Sequence, residues 1–205
     1  MREKFDRELI EVEDGFLELS DLYQLAFDKL ELYSNEGDKS ILKEIIDNEP
    51  KINAKIDTIG RSCFNLMLRQ QPVAGDLRFI QVSISLASSF RHIYSHMVEA
   101  SLILEEINDH KKVLVVTSDY ILNLKKMLSN FKQALVDRNE ELAYNTVKMD
   151  DEIDSLFQKS IDYVIQRERE SYISTMELTD FILYFKYFER IGDRLAKINV
   201  LLTQL

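Results

Sequence analysis

A chain of 205 residues can bury one sizeable core or two small ones, and with five Gly and two Pro it runs in long stretches free of helix breakers. Thirty-six acidic against 26 basic residues leave a net charge of −10, which excludes nucleic acid as a partner, because a phosphate backbone is held by Lys and Arg. The single cysteine, Cys63, excludes an intramolecular disulfide and fits a reducing compartment. No secretory-type apolar segment opens the chain, and no apolar run approaches the ~20 residues of a membrane span. A soluble, cytoplasmic chain without membrane insertion is expected.

Six helices are predicted. The first runs from about Arg2 to Ser34, with Phe16, Leu19, Leu22, Tyr23 and Leu30 on one side, and ends in the turn formers around Gly37. The second runs from about Asp38 to Gln70. Its inward stripe is read as Leu42, Ile46, Glu49, Asn53, Ile56, Gly60, Cys63 and Met67, with a kink at Pro50. Pro72 breaks the pattern, and the third helix follows to about Asn108 on a seam of Phe79, Val82, Leu86, Phe90, Ile93, Met97, Ala100 and Leu104. The fourth spans about Lys112–Val136, the fifth Asn139–Glu168 and the sixth Thr175–Leu205. The sixth carries the seam Tyr184, Phe188, Ile191, Leu195, Ile198 and Leu202, each 98 positions beyond a seam residue of the third.

That offset marks a duplication. Residues 189–193 read Glu-Arg-Ile-Gly-Asp, against Arg-His-Ile-Tyr-Ser at 91–95. Asp-Asp-Glu-Ile-Asp at 150–154 answers Glu-Pro-Lys-Ile-Asn at 49–53, offset by 101. A connection about three residues shorter in the second copy would account for the change of offset. Long amphipathic helices with short links fold back as antiparallel bundles. The expected fold is all-α: two tandem three-helix bundles forming one rigid unit, residues 1–109 and 110–205.

The second copy carries four carboxylates, Asp150 and Asp154 on one helix and Glu189 and Asp193 on the next, each pair four residues apart. Asp150 and Asp154 are read on the stripe Val147, Asp150, Asp154, Phe157, Ile161, where an uncompensated charge is costly. A solvated pair bridged to Arg190 or Arg194 would explain either pair alone. Two pairs at repeat-equivalent places favour an ion site, and an all-oxygen set suits Mg, Ca, Mn or iron. The first-copy equivalents are Glu49, Asn53, Arg91 and Ser95, with one carboxylate left. Arg91 is expected to pair with Glu49 and fill the cation's place, with Asp57 as a weak alternative ligand.

His92 and His96 have zinc-ligand spacing, but their equivalents are Arg190 and Arg194, so a solvated face is expected; His110 reads as a loop residue. No Glu-x-x-His, glycine-rich phosphate loop, Gly-x-Ser-x-Gly or Cys-x-x-Cys occurs, and Cys63 reads as core.

Leu68-Arg-Gln-Gln-Pro-Val-Ala-Gly-Asp-Leu-Arg78, Asp150-x-x-Ile-Asp and the run from Glu189 to Ile198 resemble the motifs of PhoU proteins, in the same order over nearly the whole chain. The resemblance implies tandem three-helix bundles with pseudo-twofold symmetry. It implies a cytoplasmic negative regulator of phosphate uptake and of phosphate-starvation signalling. Its partners would be the ATPase subunit of a phosphate ABC transporter and a sensor histidine kinase. It further implies iron or zinc held by Asp150, Asp154, Glu189 and Asp193. The family usually repeats Glu-Arg-Ile-Gly-Asp in the third helix, so Arg91 and Ser95 are departures, and metal is expected in the second bundle only. Asp76 and Arg78 are expected partner contacts; for each, a local role at the helix start is the competing explanation. Two other readings are a paralogue serving a sodium-coupled phosphate transporter and a carboxylate-metal enzyme; the leading one is an adaptor without turnover. Monomer or homodimer is left open.

Overall fold

The computed structural model describes residues 2–69, 73–107 and 111–205. These form α1 (Arg2–Glu36), α2 (Lys39–Asp47), α3 (Glu49–Arg69), α4 (Ala74–Glu106), α5 (Lys111–Asp137), α6 (Glu140–Val147), α7 (Asp150–Arg169) and α8 (Thr175–Leu202). Pro72, His110 and the expected division after residue 109 lie outside the described residues.

The expected second and fifth helices are each broken in two. At the first break, Asn48 turns its side-chain amide back to Glu44 O at 2.7 Å, and Pro50 follows without an N–H. The second break has no proline. There Met149 N–H bonds Thr146 O at 3.0 Å, a tightened turn that ends α6. Both helices restart on an acid, Glu49 in α3 and Asp150 in α7, where the positive end of the helix favours negative charge.

The breaks also reset the helical phase, and this corrects two of the expected stripes. In α3 the buried residues are Ile52, Ile56, Ile59, Cys63 and Leu66, while Met67 is exposed. In α7 they are Ile153, Ser160 and Val164, while Asp154 is exposed and Asp150 half-buried. A periodicity run unbroken through the kink puts the wrong residues inside. The seams of the unbroken α4 and α8 are found as read, with Phe79 only partly buried.

The repeat extends to the turns. Gly37, with φ 74°, and Arg138, with φ 53°, end α1 and α5 in the left-handed region. The next residues, Asp38 and Asn139, cap α2 and α6 by accepting from Ser40 N–H and Leu142 N–H at 2.9 Å each. Arg138 carries about 1 kcal/mol of strain that Gly37 does not, and its guanidinium pairs with Glu13 on α1. Contrary to expectation, the change of offset does not arise before α4 begins, since Ala74 follows Glu49 by 25 residues and Thr175 follows Asp150 by 25. The offset changes inside the helices. Seventeen residues separate Ala74 from Arg91 and fourteen separate Thr175 from Glu189, so α4 has about one extra turn before its motif.

Helices α1–α4 make one bundle and α5–α8 the other, and the most extensive helix pair in the molecule is α4 with α8, which joins them. They run antiparallel, since the cleft that has Val82 and Ser85 on α4 has Leu201 on α8 and Gln204 just beyond it, while His96 meets Tyr187. Phe90 of α4 stacks edge-on against Phe131 of α5 at 5.4 Å, continuing the core between bundles. Buried tyrosines tie the helices to the centre: Tyr23 OH donates to Phe90 O at 2.6 Å and Tyr94 OH to Ile45 O at 2.9 Å. Helices α1 and α5 are joined by ion pairs, Lys125 to Asp28 and Glu31 at 2.6 and 2.8 Å and Lys132 to Asp21, and Arg138 just past α5 adds a pair to Glu13. No described helix is long and apolar enough to cross a membrane.

The α7–α8 contact closes at Gly192, where an added Cβ would lie 2.8 Å from Ile153 Cγ2 in the core. Gly192→Ala is expected to cost about 1–3 kcal/mol in denaturant titration through overpacking. Gly60→Ala, where a Cβ meets nothing within 4 Å, is expected to stabilise by up to about 1 kcal/mol through helix propensity.

Candidate functional site

The close approach at Gly192 also places the acids. Asp150 is the first residue of α7, and its Oδ1 lies 3.2 Å from where a Gly192 Cβ would stand. It therefore rests against α8 at Gly192, the residue before Asp193. Its carboxyl is pushed up to about 6, first by burial and then by the charges of Asp193, Asp154, Glu189 and Asp151. Asp193 is raised as well, by burial and by Glu189 and Asp154, against the opposing charges of Lys186 and Arg194. The four carboxylates read from the sequence thus share one neighbourhood.

Glu189 is the most sheltered of them. Its Oε2 is buried without a hydrogen bond, and Lys186 Nζ approaches it to 2.6 Å as an ion pair rather than a well-aligned donor. Arg190 and Arg194, the partners in the solvated-pair reading, do not pair with it; Lys186, one turn earlier on α8, does. The Lys186 ammonium also lies 5.2 Å from the centre of the Phe157 ring. Below the acids, buried Tyr120 stacks on Phe185 and Phe188 and takes a hydrogen bond from Ser160 Oγ at 3.3 Å. Its phenol is pushed well up by burial, with Glu189 and Asp154 adding to the shift.

The donor set fits a hard cation: all oxygens, mutually repelling, one of them buried and without a hydrogen bond. Among the described residues no three His, Cys, Asp or Glu stand close enough to hold an ion as they are. Binding therefore requires the exposed Asp154 and Asp193 side chains to turn inward toward Asp150 and Glu189.

In the first bundle Arg91 fills the corresponding place, but not through Glu49. Its guanidinium donates to Asn53 Oδ1 at 2.9 Å and to Asp57 Oδ1 at 2.6 Å, bridging α4 to α3. Asn53 is the Asp154 equivalent, and Asp57 lies one turn further along α3, where the planar fork can reach both. Asp57, the alternative cation ligand, is thereby occupied by Arg91.

Asp76 has a structural task. It is buried and accepts from Val73 N–H at 3.3 Å, three residues into α4, as Glu177 accepts from Ser174 N–H at 2.9 Å at the start of α8. Arg78 is exposed beside the α4–α8 cleft with Gln81 and Ser85. Cys63 is buried, as expected, and its thiol is pushed up to about 11.

The histidines divide: His92 is exposed, as expected, while His96 is not on a solvated face. His96 is partly buried, stacked with His92 at 6.3 Å and against Tyr187 of α8 at 5.7 Å. Burial, then Arg190, His92 and Arg194, push His96 down to about 4. Burial, Arg194, Lys197 and Arg91 lower His92. Cations on both sides make this pair a poor zinc site. The cluster went unread because its members come from different repeats. The 98-residue equivalence of His92 with Arg190 and His96 with Arg194 was the available signal.

The PhoU-domain family profile matches residues 16–110 and 119–200. The chain is 26% identical over 201 residues to the phosphate-specific transport system accessory protein PhoU homolog of Clostridium acetobutylicum, covering 96% of this chain and 91% of that one. It is 29% identical over 182 residues to the corresponding PhoU homolog 1 of Methanothermobacter thermautotrophicus, covering 86% and 80%. The crystal structure of the phosphate transport system regulatory protein PhoU from Streptococcus pneumoniae has the same fold, with a TM-score of 0.88 at 23% identity and 97% and 94% coverage.

The raised Asp150 carboxyl gives a signed pH dependence. Its folded-state pKa of about 6 exceeds the ordinary 3.8, so the folded protein holds the extra proton between those values, and stability falls as pH rises through about 6. Asp150→Asn is expected to raise the Tm at about pH 8 in the presence of a chelator, and to change it little at about pH 4. Thermal unfolding followed by circular dichroism at both values checks this.

Proposed function

Because the chain belongs to the PhoU family, with a family match that spans both repeats, we propose that it is a regulatory adaptor of phosphate transport that works without catalytic turnover. Its relatives are named as accessory proteins of phosphate-specific transport systems. In this reading it acts on the cytoplasmic side. It docks on the ATPase subunit of a phosphate ABC transporter and on a sensor histidine kinase, and it restrains both uptake and the starvation response when phosphate is plentiful. An adaptor acts by binding one state of its partners more tightly than another. Two bundles joined through the antiparallel pair α4 and α8 would suit the presentation of two faces at a fixed separation.

The observation that carries the reading is the retained acid cluster of the second bundle on this fold, set against its Arg91-bridged counterpart in the first. Asp150, Asp154, Glu189 and Asp193 would hold a divalent cation, iron or zinc or another. When bound, the cation would offset the repulsion among the four carboxylates and tie α7 to α8.

Removal of the protein from its host is expected to raise phosphate uptake and starvation-gene expression in phosphate-replete medium. Co-purification is expected to recover the ATPase subunit and the kinase. Recovery of a sodium-coupled transporter instead would move the proposal to that partner, and unchanged uptake would overturn it. Metal analysis after reconstitution with iron, zinc and manganese is expected to find metal in the natural protein and at least about tenfold weaker retention in Asp193→Ala.

A further inference from the structure

Residues 58–91, from the middle of α3 to the middle of α4, hold four arginines, no lysine and a single acid, Asp76, in a chain with 36 acids and a net charge of −10. That acid is buried and accepts from Val73 N–H at the start of α4. The same stretch leaves large apolar side chains exposed: Phe64, Met67 and Leu68 on α3, and Leu77 and Ile84 on α4. Met67 and Leu68 stand three and four residues beyond Phe64, and Ile84 stands seven beyond Leu77, so each set follows one helix face.

Between these faces α3 and α4 leave an open groove of about 560 Å³, lined by Ile56, Gly60 and Phe64 from α3 and by Ile84, Ala87 and Ser88 from α4. Arg61 and the Arg91–Asp57 ion pair border it. A glycine inside a helix costs about 0.5–1 kcal/mol relative to alanine, yet a Cβ on Gly60 would meet nothing within 4 Å. Packing within the chain does not require this glycine; what it does is keep the groove open.

The second bundle carries different residues at these places. The counterparts of Gly60, Arg61 and Met67 are Ile161, Asp162 and Glu168, and the counterpart of Ser88 is Lys186. Lys186 lies 5.2 Å from the centre of the ring of Phe157, the counterpart of Ile56. A long side chain thus covers in the second bundle what Ser88 leaves uncovered in the first. The open groove belongs to the repeat that lacks the acid cluster.

We propose that the α3–α4 groove docks an amphipathic helix of a partner protein, one that carries acids beside its apolar stripe. Such a helix seats large side chains at i, i+3, i+4 and i+7 in a hydrophobic groove. From Asp57 to Leu68, α3 rises about 16 Å, which accommodates about three turns. Arg61 reaches Thr58 Oγ1 at 3.0 Å and, among the described residues, no carboxylate, so its charge is left for an acid on the incoming helix. A second copy docked across a twofold axis would instead set this acid-poor, arginine-bearing face against itself. An anionic bilayer is attracted by clusters of about four to eight Lys and Arg, whereas here the apolar groups line a seam bordered by Arg61 and an already paired Arg91. The adaptor reading names which proteins are bound; the groove supplies where and by what chemistry, whichever partner is engaged.

The test places photoreactive benzoylphenylalanine at Phe64, at Ile84 or, as a control, at exposed Tyr144 on α6, in the full chain expressed in its host, and identifies the attached peptides by mass spectrometry. Positions 64 and 84 are expected to attach to one segment of another protein, with apolar residues at helical spacing and more acids than bases, and position 144 is not. With the probe at 84, Gly60→Leu, which fills the groove, and Arg61→Glu, which reverses its charge, are each expected to lower that yield at least about tenfold. Circular dichroism verifies folding, and Arg61→Glu, an exposed change, decides alone if Gly60→Leu does not fold. Attachment to lipid alone, to a second copy alone, to a segment without an excess of acids or to nothing would overturn the proposal, as would full yield in Arg61→Glu. Co-purification of the ATPase subunit and the kinase without attachment at 64 or 84 leaves the adaptor reading standing and removes the groove. Attachment to an acidic helix of a protein unconnected with phosphate transport does the reverse.

Discussion

The packing of α4 against α8 is the contact on which the other helices depend. Each of these helices is the inner helix of its own bundle and also the wall between bundles, so each must be apolar over more than one face. That is why α4 buries Ile80, Ala87, Tyr94 and Val98 beside the seam that serves its own repeat. The remaining helices attach to this pair through single apolar stripes, aided by buried tyrosines such as Tyr23 and Tyr94 that donate to backbone carbonyls across helices. The ion pairs between α1 and α5 add register more than stability, since exposed pairs contribute about 0–1 kcal/mol each.

The same helix that organises the core separates the charge. On α8, Glu189 and Asp193 point to α7 while Arg190, Arg194 and Lys197 point to α4, because residues one apart lie about 100° apart on a helix. The acids then meet Asp150 across Gly192, and the bases meet His92 and His96 across the repeat axis. Apart from the Lys186–Glu189 pair, neither set has an ion-pair partner of opposite charge among the described residues. Carboxylates raised by burial and then by their neighbours, and imidazoles lowered by burial and then by theirs, are the two sides of one arrangement, in which the fold holds like charges together. In the first repeat that tension has been removed: the Arg91 guanidinium sits where the carboxylates would converge and bonds Asn53 and Asp57 directly.

The sequence showed the bundles clearly because α4 and α8 are unbroken and their seams repeat at a constant offset. It misplaced the inner stripes of α3 and α7 because each follows a break that resets the helical phase, and only the first break has a proline to announce it. Asp154 therefore read as buried when it is exposed. The grouping of Asp150, Asp154, Glu189 and Asp193 was legible because both pairs lie near the repeat's own motifs. The Arg91 bridge was half legible: its charge was visible, but its partner depends on which turn of α3 faces the guanidinium. The basic cluster was legible only as the equivalence of His92 with Arg190 and His96 with Arg194, since periodicity within one helix cannot say which residues of two distant helices will face each other.

The two repeats share a fold, and only the second is proposed to keep an ion site. Anomalous diffraction from crystals grown with manganese tests it most directly. One peak between α7 and α8, within ligand reach of Asp150 and Glu189, and none between α3 and α4 beside Arg91, is the predicted result. A peak beside Arg91, or no peak between α7 and α8 at saturating manganese, would contradict it.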